Sequence, residues 1–76
     1  MNKLETYKGL SSQALDVLKH RGQTEVTKHD ILLAMQELDA TVEDVGGVGR
    51  AISNLAKTGQ MTLHHKRGNA NVYRID

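Results

Sequence analysis

Apolar residues recur at helical spacing near the start of the chain. They predict a first helix over residues 12–21, with Ser11 as its N-cap and Gly22 just beyond its end. Leu10 and Leu15 have the spacing of a hydrophobic staple around that cap. Residues 1–10 contain Gly9, which interrupts a helical pattern, so they are expected to form a lead-in segment before the helical body of residues 11–59.

The second helix has the clearest start signal in the chain. Thr27 and Asp30 form a capping box of the Thr-x-x-acid type, and a helix is predicted over residues 28–39. The segment before it, residues 23–26, is expected to be briefly extended. The apolar positions that follow the capping box lie on one core-facing stripe: Ile31, Leu32, Met35 and Leu38.

The third helix is the most strongly amphipathic segment. Val45, Val48, Ile52 and Leu55 define its buried face, and Gly59 marks its end. Thr41 begins a second Thr-x-x-acid signature with Asp44, but three glycines follow at once, and each costs about 0.5–1 kcal/mol inside a helix. We therefore expect residues 42–46 to form a helical turn or connector, and the firm helix to span residues 47–58.

After Gly59 the spacing at which apolar residues recur changes from the helical period of 3.6 residues to the strand period of 2 residues. Met61 and Leu63 alternate with polar residues, as do Tyr73 and Ile75, which predicts strands near residues 60–66 and 71–75. Residues 66–70 between them have the composition of a turn. The second part of the domain, residues 60–76, is therefore predicted to be a β-hairpin.

Charge is divided unevenly between the halves of the chain. The formal net charge is +1, yet residues 1–45 sum to −3 and residues 46–76 to +4. A segregated basic half suits a polyanionic partner, although small domains also show such asymmetry by chance. The chain has no cysteine, which fits a reducing compartment such as the cytosol, and it has no apolar run of membrane-spanning length.

The face of the third helix opposite its apolar stripe carries the candidate chemistry. Arg and Asn side chains suit guanine and adenine edges, and Ser or Lys suits either a base or a phosphate. The alternative is an ordinary solvated helix face and a polar hairpin tip. On the first interpretation the DNA-binding residues would be Gly47, Arg50, Ser53, Asn54 and Lys57 of the helix, with His64, Lys66, Arg67, Asn69 and Asn71 of the hairpin.

The pattern Arg50-Ala-Ile52-x-x-Leu55-x-x-x-Gly59-x-Met61, with Val72-Tyr73-Arg74-Ile75 at the end, resembles the winged helix-turn-helix superfamily over residues 11–75. The resemblance implies an α+β fold of three helices and a hairpin wing. It also implies helix three in the major groove of double-stranded DNA, with the wing on the backbone or minor groove. The glycine-rich start of helix three and the long connector before it depart from the usual pattern.

Two classes of function follow. The first is sequence-specific binding of double-stranded DNA. The protein would then be a small bacterial or phage transcriptional regulator or the DNA-binding domain of a replication or partition protein, in the cytosol or nucleoid. A homodimer on a palindromic site is compatible with this function. The second is a winged helix that binds another protein. We expect no enzymatic activity, no cofactor and no small-molecule ligand. Adjacent strand residues point to opposite faces, so His64 and His65 are expected not to share a metal.

Overall fold

The computed structural model describes residues 3–43 and 45–75. Their elements are α1 (Lys3–His20), β1 (Glu25–Thr27), α2 (Lys28–Leu38), α3 (Val45–Lys57), β2 (Met61–Arg67) and β3 (Ala70–Ile75). Three helices pack with a three-stranded antiparallel sheet, so the predicted α+β class is confirmed. Within the described residues, no helix is both long enough and apolar enough to cross a membrane.

Helix α1 is longer at its start than the sequence pattern predicted. It runs through Gly9 and Ser11, so the prediction of an N-cap at Ser11 was wrong. The Ser11 side chain is fully buried, and its hydroxyl donates to the Lys8 carbonyl oxygen at 2.9 Å. Tyr7 lies in the hydrophobic core, and burial of this early turn outweighs the modest cost of a glycine within the helix. The predicted stop at Gly22 is confirmed by its φ of +86°.

Helix α2 begins as its sequence signal predicted. The Thr27 hydroxyl accepts from the Asp30 amide at 3.2 Å, and the Asp30 carboxylate accepts from the Thr27 amide at 2.9 Å. At the other end, Asp39 accepts from both the amide and the hydroxyl of Thr41, at 2.9 and 2.6 Å. These two hydrogen bonds hold the pKa of the exposed Asp39 carboxyl below its ordinary value.

The connector between α2 and α3 differs from the prediction. Thr41 does not cap a helix beginning at Val42, because its hydroxyl binds Asp39 and Val42 is buried outside any helix. The predicted capping acid, Asp44, lies outside the described residues. Helix α3 begins at Val45, so the glycines belong to its first turns. The large apolar face of α3, packed mainly on α1, offsets the intrinsic cost of these glycines.

The sheet has the strand order β1-β3-β2, and the hairpin predicted after Gly59 is confirmed. The short segment before α2 is strand β1, which pairs antiparallel with β3 and places Val26 opposite Tyr73. Strand β2 pairs with the other edge of β3, and its register shifts between Leu63 and His65. This shift is a β-bulge at His64. Gly68, with φ +63°, occupies the tight turn between the two strands.

One core joins all three helices to the inner face of the sheet. Its members include Leu15 and Leu18 of α1, Ile31 and Met35 of α2, Val48, Ile52 and Leu55 of α3, and Val26 and Met61 of the sheet. The prediction that Leu38 faces the core is wrong, because Leu38 is 45% exposed, and Leu63 of the alternating strand pattern is 51% exposed. Leu38 is the last residue of α2, and Leu63 lies where the hairpin extends toward its exposed tip.

Candidate nucleic-acid interface

The polar face of α3 is accessible along its whole length. Arg50, Ser53 and Lys57 are exposed, and Gly47 and Asn54 are partly buried, whereas Val48, Ala51, Ile52 and Leu55 are buried. The Ser53 hydroxyl donates to the Gly49 carbonyl oxygen at 3.1 Å, one turn back in the same helix. Its oxygen lone pairs remain able to accept, so Ser53 suits a base or amine donor better than a phosphate.

A first cleft lies along one side of this face. It is lined by Lys8 of α1 and by four residues of α3, namely Arg50, Ser53, Asn54 and Lys57. Lys8 is far from the others in sequence and reaches the cleft because α1 packs against α3. Three cationic side chains therefore surround one shallow depression beside an amide and a hydroxyl.

A second and larger groove lies on the other side of the same helix. It has a volume of about 550 Å³ and lies between the start of α2, α3 and the hairpin tip. Lys28 and His29 enter it from the first turn of α2, and Asn69 and Asn71 enter it from the hairpin. Its floor is apolar, with Leu32, Ile52 and Tyr73 among the lining residues.

Gly49 allows Lys28 to lie close to α3. A Cβ atom at this position would stand 3.1 Å from the Lys28 ammonium nitrogen. The missing side chain lets the ammonium group approach the middle of the helix, between the polar face and the groove. This gives Gly49 a physical role that the sequence pattern alone did not indicate.

The two depressions meet at Ser53, which lines both of them. Together they form one surface from α1 across α3 to the hairpin, and no carboxylate is among the described residues that line it. Several acids are engaged elsewhere. Asp30 caps α2, Glu37 pairs with Arg21 at 2.9 Å, and Asp39 binds Thr41. We call this continuous acid-free surface the α3 surface.

The hairpin residues predicted to bind DNA do not all point the same way. Paired residues of antiparallel strands share a face, so Lys66, opposite Asn71, lies on the face of the sheet that carries Tyr73. The Asn71 amide donates to the Tyr73 hydroxyl at 3.4 Å on this face. Arg67 pairs with Ala70 and lies on the opposite face of the same exposed tip. Lys66, Asn69 and Asn71 therefore extend the α3 surface more directly than Arg67.

His64 lies apart from the α3 surface. The bulge turns its ring toward that of His65, with the ring centroids 5.0 Å apart, and both approach Glu25 on the outer face of the sheet. The expectation that these adjacent histidines occupy opposite faces is therefore wrong, because a bulge interrupts strand alternation. The sheet separates His64 from α3.

Sequence reasoning missed the Lys and His side chains that α1 and α2 bring to this surface, namely Lys8, Lys28 and His29. Lys8 fell in a segment expected to precede the fold, and Lys28 was treated only as the first residue of α2. No local sequence signal places Lys8 or Lys28 beside α3, because their positions there depend on how α1 and α2 pack. A charge count by helix would have identified Lys8 and Lys28 only as cations, with no sign that they lie beside α3.

Compared with models of known protein families, with curated proteins and with solved structures, this chain gives no match. The function is therefore inferred from the geometry of the described residues.

Proposed function

We propose that the protein is a winged helix-turn-helix domain that binds double-stranded DNA. The element order, three helices with a hairpin after the third and a short strand beside it, is compatible with that fold. The observation that carries the proposal is the α3 surface. It is continuous, flanked by cations from three helices and free of carboxylates among the described residues that line it. A polyanion fits such a surface better than a basic or apolar partner.

Each side chain has a role set by its place on the helix. Arg50 and Asn54, in the middle of the exposed face, would contact base edges in the major groove, with Ser53 accepting from a base amino group. Lys57 at the end of α3, Lys8 beside it and Lys28 across the helix would contact phosphates on the two sides of that groove. Lys66, Arg67 and Asn69 at the hairpin tip would reach the adjacent backbone or minor groove.

The same surface would serve a small transcriptional regulator or the DNA-binding part of a replication or partition protein. A homodimer on a palindromic site would bring two such surfaces to successive turns of the duplex. A second candidate function is the binding of another protein. It is favoured by the exposed leucines of α2, Leu33 at 47% and Leu38 at 45%.

The test is a titration of the isotope-labelled protein with a mixed-sequence duplex at low salt, followed by amide chemical shifts. DNA binding should move signals of residues 47–57, Lys8, Lys28 and the hairpin tip, and leave α2 near Leu33 and Leu38 unchanged. Arg50→Ala should lower discrimination at one base pair by about 1–3 kcal/mol, whereas Lys57→Ala should weaken all sequences alike. No shift at any duplex concentration would refute the proposal and favour the protein-binding function.

A further inference from the structure

A second cluster of chemically active side chains lies on the face of the sheet that points away from α3. Glu25 of β1 and His64 and His65 of β2 each offer one ligand atom there, and these atoms lie within 4.8 Å of one another. The His65 Nδ1 atom is 3.8 Å from a Glu25 carboxylate oxygen. We call this set the Glu25/His64/His65 cluster.

The β-bulge creates the cluster. In a regular strand His64 and His65 would point to opposite faces. The shift of register after Leu63 adds one residue to β2, so both imidazoles come to the outer face of the sheet. Glu25 reaches the same place from the other edge strand, across the middle strand β3. Three ligand-bearing side chains thus converge from two strands that do not touch each other.

We propose that the Glu25/His64/His65 cluster binds a divalent transition metal ion, with Zn²⁺ as the fitting example. Two imidazoles and one carboxylate form a ligand set that suits zinc, copper and nickel. Water would complete the coordination of an exposed site with three protein ligands. This proposal goes beyond DNA binding and does not depend on it.

The distances allow coordination with small side-chain movements. Three atoms no more than 4.8 Å apart lie within about 2.8 Å of a common centre. Zinc bonds to nitrogen and oxygen are about 2.0–2.2 Å long, so each ligand must move by less than about 1 Å. The side chains of His65 and Glu25 are 41% and 45% exposed, which leaves them free to rotate.

The charges near the cluster set its selectivity. Arg74 lines the same cleft as Glu25 and His64, so the guanidinium group of Arg74 would repel a bound metal ion. The Glu25 carboxylate supplies the compensating negative charge. An ion held mainly by charge, such as Mg²⁺, gains little from imidazoles, whereas Zn²⁺ binds them well.

Metal binding would join the two edge strands of the sheet. The ion would link β1 to β2 across β3. Because the bulge that assembles the metal site is formed only in the folded chain, the ion would bind the folded chain alone and would raise the unfolding temperature. The α3 surface lies on the opposite side of the sheet, so zinc should leave DNA affinity unchanged. This separates the two proposals, since either can fail without the other.

The experiment is calorimetric titration of the full chain with ZnCl₂ at a pH above 7, with amide and histidine ring signals followed by NMR. One ion should bind per chain, and the shifts should concentrate at Glu25, His64 and His65. Glu25→Gln, His64→Gln and His65→Gln should each lower the zinc affinity at least about tenfold and remove the rise in unfolding temperature. These three side chains are exposed, and the dispersion of the amide signals verifies that each variant folds.

The matched controls are the two other histidines, which lie outside the cluster. His20 sits at the end of α1 with Nδ1 2.8 Å from the Asp16 carbonyl oxygen, and His29 lines the groove beside α3. His20→Gln and His29→Gln should leave the zinc affinity within about twofold of the wild-type value. Absence of saturation at about 1 mM zinc would overturn the proposal. So would an affinity that depends on His20 or His29 and not on the cluster.

Discussion

The salt dependence of DNA affinity tests the α3 surface most directly. Lys8, Lys28 and Lys57 are proposed to contact phosphates, and with the hairpin tip on the DNA backbone Lys66 and Arg67 bring the number of cations at phosphates to five. Each phosphate neutralised by a cation contributes about −0.9 to the slope of log K against log salt concentration, so the wild-type slope should be about −4.5. Raising the salt from about 50 to 200 mM should then weaken binding about 500-fold.

The perturbation is the double variant Lys8→Ala with Lys28→Ala. It removes the two cations that tertiary packing brings beside α3, and it should change the slope to about −2.7. The loss of affinity over the same salt range should then fall to about 40-fold. The matched control is Lys19→Ala, also on α1, whose residue lines a separate cleft with Asp16 and Gln60 and should leave the slope unchanged.

The assay is fluorescence anisotropy of a labelled mixed-sequence duplex, measured at four or more salt concentrations for each protein. The slope is compared rather than a single affinity, since a slope counts released counterions and is insensitive to the identity of the site. A double variant with the wild-type slope would refute the placement of Lys8 and Lys28 at phosphates. A slope change of about 0.9 in Lys19→Ala, which is the share of one removed cation, would show that only total charge matters.

Three further predictions concern stability. Gly9→Ala adds a Cβ in open space within α1 and should stabilise the fold by about 1 kcal/mol, which raises Tm by about 4–8 °C. Gly22→Ala adds a Cβ in equally open space, but it should lower Tm because Gly22 has a φ of +86°, which strains any other residue. Thr27→Ala removes the α2 cap and should cost about 1 kcal/mol in denaturant unfolding. Thr41→Val should raise the lowered pKa of Asp39 toward 3.8, measured by carboxyl NMR titration. A carboxyl group with a lowered pKa stabilises the fold at pH values above its pKa in the unfolded chain. The difference in stability between Thr41→Val and wild type should therefore be present at neutral pH and vanish as the pH falls through the lowered pKa of Asp39.

Helix α1 illustrates where local sequence signals mislead. Ser11 has the residue type and neighbours of an N-cap, but its hydroxyl binds the Lys8 carbonyl oxygen within a continuous helix. The decisive factor is the burial of Tyr7 and Ser11 against the rest of the core, which no local pattern reveals. The glycines at the start of α3 were misjudged for the same reason, because packing of the helix outweighs their propensity cost.

The sequence by itself determined the features that depend on near neighbours. The Thr27–Asp30 capping box, the apolar face of α3 and the turn at Gly68 each involve residues a few positions apart, so their geometry follows from short-range sterics and hydrogen bonds. The polar face that carries Arg50 and Lys57 follows from the same helical period.

Only the tertiary structure decided which distant groups meet. Lys8 and Lys28 stand beside α3 because α1 and α2 pack there, and Glu25 meets His64 and His65 because β1 pairs with β3 and a bulge turns β2. These contacts join segments about 20–50 residues apart in the chain. These contacts are fixed by the burial of apolar side chains in one shared core. All of the helices and strands contribute to that core, so no single stretch of sequence determines which distant groups meet.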